Sequence, residues 1–214
     1  MSYDHVLLPS GAATTLDEAD AYLAAQQGLP QTPTVAAIAA ELNARNDELP
    51  TAEGILANAP VGDSETGAAL QVSSSHEAIG RLRALLFEFA TPRDYAVYDP
   101  QLAWLIDPAG HLPVAVTHGG AGEFPYLTAR LAHEWVANLP DHSPYLIVER
   151  APQYYIQTFR DNDGTYILEY RDGSPDRHVG TRLAEADRVA ELLWAWTTGD
   201  RTRLDTIDWQ PVDL

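Results

Sequence analysis

The chain has 214 residues and a formal net charge of −18 at pH 7; it contains no cysteine, and all 13 of its basic residues are arginine. The missing cysteines exclude a disulfide framework, a thiolate nucleophile and a cysteine-based metal site. The negative charge argues against a nucleic-acid or anionic-membrane binder, because both need clustered positive charge. An apolar fraction of 45% is too high for a disordered acidic chain, so we expect a soluble folded protein.

We expect a cytoplasmic protein without a membrane partner. The first residues lack the basic and apolar regions of a signal peptide. The longest apolar runs are far shorter than the roughly 18 residues that cross a bilayer. With 15 acids and 4 arginines, residues 1–109 carry −11, and with 16 acids and 9 arginines, residues 110–214 carry −7. The charge is therefore spread over the chain and marks no binding site by itself.

The first half of the chain is predicted to alternate strands and helices. Short runs of branched and aromatic residues predict strands over residues 3–8, 68–73 and 95–98. Helical spacing of apolar residues predicts helices between these strands. This order is compatible with a ferredoxin-like α/β layer over residues 1–108.

Local capping signals mark where these helices begin. Thr15 and Glu18 stand at the spacing of a capping box. Thr32-Pro33 places proline at the first helical position, which tolerates it. Ser74 and Glu77 repeat the capping-box spacing ahead of the third helix. We therefore expect helices that start at these three points.

The second half is predicted to form an antiparallel β-meander packed with helices, which places the whole chain in the α+β class. Residues 109–122 are rich in glycine and proline and are predicted to be a connecting loop. Residues 123–214 then form a helix–meander–helix region, with its first helix over 125–138. Segments rich in aromatic and branched residues predict strands over 145–150, 153–160, 165–170 and 177–182.

The second half also contains a turn signal and a helix with an unusual tryptophan. Residues 161–164, Asp-Asn-Asp-Gly, predict a β-hairpin turn. The last helix is predicted over 185–198 and is stopped by Gly199, which can take a left-handed conformation. Trp194 lies far from the apolar stripe of this helix. Either the C-terminal tail folds over Trp194, which we favour, or this side chain is exposed for a partner.

No motif in the sequence defines a catalytic or metal site. His133-Glu134 lacks the second histidine of a helical zinc site. His118-Gly119-Gly120 is similar to the oxyanion loop of some esterases, but the Gly-x-Ser-x-Gly elbow is absent. Residues 161–164 lack the glycine position of a calcium loop. We therefore assign no catalytic residue, metal ligand or cofactor, and this favours a binding function.

The final third carries a recognisable pattern. An aromatic strand precedes the Asp163-Gly164 turn and a second strand, a helix ends at Thr198-Gly199, and Trp209 follows. In this pattern residues 145–210 resemble bacterial immunity proteins of the Imm1-like kind. The resemblance implies a non-enzymatic protein that binds and blocks a cognate toxin encoded beside it. The N-terminal half, which contains Tyr98-Asp-Pro-Gln, resembles uncharacterised bacterial proteins.

From this resemblance we expect inhibition by an acidic surface that covers a basic, nucleotide- or nucleic-acid-processing cleft of the toxin. Long-range charge would steer such an acidic partner to the cleft. Aromatic side chains concentrate binding energy at interfaces, so the meander and its nearby acids are the predicted contact surface. The candidate contact residues are Trp194, Tyr154, Tyr166, Tyr170, Asp161, Asp163 and Glu169. The alternative for the aromatic residues is that all of them belong to the core.

Two other classes of function stay open. One is a hydrolase that uses Asp, Glu and His side chains in a cleft between the two halves. The other is a housekeeping interaction module with no toxin partner. Gene context is the observation that best separates these classes from an immunity protein.

Overall fold

The computed structural model of the chain describes residues 2–50, 53–62 and 65–212. The chain divides into two compact units between Ala109 and Gly110, one residue beyond the predicted first region. Both units combine helices with antiparallel sheets, which confirms the α+β class.

The first unit contains a four-stranded sheet in the order β2-β1-β3-β4, and all of its neighbouring strands are antiparallel. Its elements in chain order are β1 (Tyr3–Pro9), α1 (Leu16–Gln26), α2 (Pro33–Asp47), β2 (Leu70–Ser74), α3 (Ile79–Ala90), β3 (Tyr95–Asp99) and β4 (Trp104–Ile106). A ferredoxin-like layer needs the element order β-α-β-β-α-β. The described residues of the first unit run β-α-α-β-α-β-β, so the predicted ferredoxin-like arrangement is wrong in its order of elements.

The predicted helix starts are confirmed at two of three points. The Thr15 hydroxyl and the Glu18 carboxylate form the reciprocal capping box of α1. The Thr32 hydroxyl accepts a hydrogen bond from Val35 N at the start of α2. The third prediction is wrong, because Ser74 is the buried last residue of β2. A 3₁₀ turn leads from there into α3, which begins at Ile79.

Helices lie on both faces of this sheet, which explains why the middle of β1 and all of β3 are buried. One face packs Val6, Leu8 and Tyr98 against residues of α1. The other face carries the odd-numbered residues of β1 and contacts α3, whose Leu82 and Leu86 are fully buried. The polar side chains His5 and Asp99 lie on this second face.

The second unit contains a seven-stranded antiparallel sheet in the order β11-β10-β9-β8-β7-β5-β6. Its elements in chain order are β5 (Leu112–His118), β6 (Gly122–Leu127), α4 (Ala129–Ala137), β7 (Tyr145–Ala151), β8 (Tyr154–Arg160), β9 (Tyr166–Asp172), β10 (His178–Leu183), α5 (Ala186–Thr198), α6 (Arg201–Leu204) and β11 (Gln210–Pro211).

The segment at the start of this unit differs from its prediction. The connecting loop predicted at 109–122 contains β5, and the helix predicted from residue 125 begins only at Ala129, after β6. The prediction treated proline as a loop signal. Edge strands and β-bulges also tolerate proline, although it cannot donate a backbone hydrogen bond to the neighbouring strand. Pro125 lies in β6 at the edge of the sheet, and Pro113 borders a register shift in β5.

The later elements follow the sequence pattern closely. Residues 161–164 form the turn between β8 and β9, with Gly164 at φ +85°. Gly199 ends α5 in the left-handed conformation at φ +79°. The stripe of α5 formed by Val189, Leu192 and Leu193 is fully buried.

Helices α4 and α5 pack against one another, and α5 contacts four strands of the sheet. The sheet face on this side is apolar and buried, and includes Leu146, Val148, Ile156 and Leu168, each with no exposed surface. Because side chains alternate along a strand, the intervening residues of β7, β8 and β9 point to the opposite side. We call that opposite side the open face.

Candidate functional site

The predicted contact residues do not form one surface. Tyr166 belongs to the core: it is 6% exposed, and its hydroxyl lies 3.5 Å from the carbonyl oxygen of Val136 in α4. It is therefore not available as an anchor for a partner. Tyr154 is 39% exposed. Because side chains alternate along β8, Tyr154 lies at the end of this strand on the side of the sheet that the helices cover.

Trp209 of the C-terminal tail packs against Tyr170. The indole of Trp209 lies edge-on to the Tyr170 ring, with 4.8 Å between centroids, and its Nε1 donates to Leu204 O. Arg201 lies over the same Tyr170 ring. Trp194 is half-buried. The tail contact thus occupies Tyr170, which removes it as a free aromatic anchor.

The two predicted aspartates hold the β8–β9 hairpin. Asp161 accepts a hydrogen bond from Arg182 at 2.9 Å. Asp163 accepts from both the hydroxyl and the backbone N–H of Thr165. These hydrogen bonds, that of the hydroxyl first, lower the pKa of Asp163. Both carboxylates therefore have local roles in the turn.

Among the predicted contact residues, Glu169 lies on the open face. It is separated from Tyr166 by three positions and from Tyr170 by one, so strand alternation directs it to the other side of the sheet. The strand registers place Gln157, Ile147, Thr117 and Glu123 in one row with Glu169 across β9, β8, β7, β5 and β6.

A groove of about 310 Å³ lies on the open face beside Glu169. Its apolar lining comes from three adjacent strands, and Phe159 is 43% exposed although it lies among other apolar side chains. The residues that line the groove are Tyr145, Ile147, Gln157, Thr158, Phe159, Ile167 and Glu169. The groove thus combines a half-exposed apolar patch with one carboxylate.

The Glu169 carboxylate is held by one of its two oxygens. Gln157 Nε2 donates to Oε2 at 2.8 Å, and His178 Nε2 lies 3.4 Å from the same oxygen. Gly180, opposite Glu169 on β10, gives the side chain room, because a Cβ there would lie 3.1 Å from Glu169 Cγ. The side chain is 21% exposed and lines the groove.

His178 connects this carboxylate to a buried arginine. Arg171 Nη2 lies 3.4 Å from His178 Nδ1, and Arg171 Nη1 donates to Gln153 Oε1 at 2.7 Å. Since a guanidinium can only donate, we assign the unprotonated nitrogen of His178 to Nδ1 and its N–H to Nε2, which faces Glu169. The ring of Tyr155 packs beside both side chains. This network fixes the position of Glu169 across three strands.

Sequence reasoning identified Glu169 but missed its neighbours. The signal was the two-residue alternation of β8, which places Tyr155, Gln157 and Phe159 on one face. The partners from β7 and β10 depend on strand register, which the sequence does not reveal directly.

A second polar cluster, in the first unit, is fully enclosed. Asp99 accepts from the Tyr3 hydroxyl at 2.8 and 2.9 Å, from Arg83 at 3.1 Å and from Leu102 N. His5 Nε2 lies 3.5 Å from the same carboxylate, and both His5 and Asp99 have no exposed surface. Burial lowers the pKa of His5 to about 4 and, with the Asp99 contact, raises that of Tyr3. The cluster joins β1, β3 and α3.

Other features singled out in the sequence have local structural explanations. His118 is buried, and its Nδ1 accepts a hydrogen bond from Gly120 N in the turn between β5 and β6. Across residues 2–50, 53–62 and 65–212, no group of three or more His, Asp and Glu side chains is arranged to hold a metal ion. None of the helices in those ranges is long and apolar enough to cross a membrane.

Comparisons with known proteins give no relative from which a function could be transferred: no protein-family model, curated protein or solved structure matches the chain.

Proposed function

We propose that the chain is a non-enzymatic immunity protein that binds and inhibits a bacterial toxin through the open face of its second unit. The observation that carries the proposal is the groove around Phe159, an apolar patch on a sheet face that is not the one packed by α4 and α5. The strands that line it, β7, β8 and β9, lie within residues 145–210, the segment that resembles Imm1-like immunity proteins.

The composition of the open face supports binding to a protein. Phe159, Tyr145, Ile147 and Ile167 present half-exposed apolar area, and the half-buried Tyr155 lies on the same face. Tyrosine and arginine are over-represented among residues that dominate binding energy. Burial of the exposed part of Phe159 would contribute about 1 kcal/mol to association, since a fully buried side chain of this kind contributes about 1.5–3 kcal/mol.

The net charge of −18 supports a basic partner. An acidic protein approaches a basic surface faster than a neutral one does, because the long-range field steers the encounter. Toxins that act on nucleotides or nucleic acid carry basic clefts for their substrates, so the charge agrees with that class of toxin.

Co-expression with the neighbouring gene tests the proposal. We expect the neighbour alone to stop growth, the pair to restore growth, and the two purified proteins to elute together in gel filtration. A harmless neighbour, or a toxic neighbour that neither binds the chain nor is neutralised by it, would overturn the proposal.

A further inference from the structure

We propose that the groove on the open face accepts one arginine or lysine side chain of the partner protein, with the aliphatic stem against Ile147, Phe159 and Ile167 and the cationic head at Glu169. The identification of the partner as a toxin rests on the proposed function. The chemical class of the bound side chain is inferred from the residues that line the groove.

The shape and lining of the groove match a side chain with an apolar stem and a charged tip. Such side chains bury their methylene groups along apolar surface while the charge stays near a polar or wet boundary. The groove supplies an apolar wall from three strands and ends at Gln157 and Glu169. A purely apolar side chain would cover the apolar wall of the groove but would bring no positive charge to the Glu169 carboxylate.

The charge of the groove selects a cation. Among the described residues that line it, Glu169 alone carries a charge. His178 approaches Oε2 from β10 and Arg171 contacts His178, while Arg182, opposite Ile167 on β10, is paired with Asp161. Gln157 donates a hydrogen bond to Oε2 and holds the carboxylate in place, and 21% of the side chain stays exposed to an approaching cation. A preorganised acceptor of this kind costs little ordering when it binds.

The aromatic walls favour the same ligand. Tyr145 and Phe159, which pair across β7 and β8, line the groove from adjacent strands. The methylene stem of an arginine or lysine can lie along such apolar ring surfaces while its charged head reaches a polar boundary. The net charge of −18 adds a favourable long-range field for any basic partner.

Isoleucine-methyl NMR of the full chain provides the test. The probes are N-acetyl-arginine amide and N-acetyl-citrulline amide, which have nearly the same shape but differ in charge. We expect the arginine probe to shift the methyl signals of Ile147 and Ile167 in a saturable way. Ile156, which is fully buried on the opposite face, should not move. Citrulline should bind about fivefold to tenfold more weakly, the loss expected for a charge-assisted hydrogen bond.

Two variants with equal net charge provide the control. Glu169→Gln should weaken arginine binding about fivefold or more. Glu123→Gln, which removes an exposed carboxylate at the far end of the same cross-strand row, should leave it unchanged. Equal binding of arginine and citrulline, equal effects of the two substitutions, or no shift of Ile147 and Ile167 with the arginine probe would each overturn the inference.

The outcome is distinguishable from failure of the proposed function. A chain that neutralises its neighbour but ignores the arginine probe would refute the basic-side-chain ligand alone. A chain that binds arginine at the groove but not its neighbour would refute the toxin partner alone.

Discussion

The two units contain polar networks of similar composition in opposite surroundings. Asp99 in the first unit and Glu169 in the second each lie beside a histidine, have an arginine in the network and accept from an uncharged donor. Asp99 has no exposed surface, because α3 packs on its face of the sheet, whereas Glu169 is 21% exposed on the open face. The histidine and arginine are buried in both networks, so the difference between the two lies in the carboxylate, which is fully buried under α3 and partly exposed on the open face.

The largest expected difference between the two networks concerns stability. Asp99→Asn removes the buried carboxylate that Arg83 contacts and should lower the free energy of unfolding of the first unit by about 3–5 kcal/mol. Glu169→Gln should cost about 1 kcal/mol or less, because solvent screens the half-exposed carboxylate. Urea unfolding of both variants measures the difference. Equal losses would contradict the contrast between buried and open networks.

The first network should also make the stability of its unit depend on pH. Because burial lowers the folded-state pKa of His5 to about 4, below the usual value of about 6.5, the unfolded chain binds a proton first. The stability contributed by neutral His5 is thus fully present above about pH 6.5 and is lost as the pH falls towards about 4. NMR titration of the His5 ring should give a midpoint near 4. A midpoint for His5 near the ordinary histidine value of about 6.5 would contradict the enclosed network.

Removal of the apolar wall of the groove should weaken the toxin complex without unfolding the chain. Phe159→Ala should reduce affinity for the neighbouring gene product about fivefold to tenfold, since about 1 kcal/mol of apolar burial is lost. Leu29→Ala is a matched control, because Leu29 is 45% exposed and Phe159 is 43% exposed. Calorimetric titration of both variants measures the effect. Equal affinities would place the contact elsewhere.

The smallest expected effect concerns the hairpin acids. The Asp161–Arg182 ion pair is partly exposed at both ends, and such pairs contribute about 0–1 kcal/mol. Asp161→Asn should therefore change the urea midpoint very little and should leave binding to the arginine probe unchanged. A large loss of binding would extend the site from the groove to the turn.

Local signals were the most reliable guide to the fold. The capping box at Thr15, the glycine turn at residues 161–164 and the cap at Gly199 each depend on a few adjacent residues, and the structure confirms them. The signals failed at 109–122, where glycine and proline occur within a strand and a hairpin at the sheet edge. Local composition does not show that a neighbouring strand will pair with such a segment.

The candidate site was harder to predict, because it depends on which face of the sheet each side chain points to and on how the neighbouring strands are aligned. Tyr166 and Glu169 are close in sequence and equally plausible as contacts, yet they lie on opposite faces of β9. The approach of His178 to Glu169 requires the β9–β10 pairing, in which His178 stands opposite Arg171. No spacing rule within one strand identifies these partners.

Isoleucine-methyl NMR of the full chain, titrated with the product of the neighbouring gene, shows whether the open face is the contact surface. We expect Ile147 and Ile167 on the open face to shift on complex formation, whereas the buried Ile156 and the buried Ile38 of α2 should keep their signals. A stable complex in which Ile147 and Ile167 are unchanged would contradict the assignment of the open face as the contact surface.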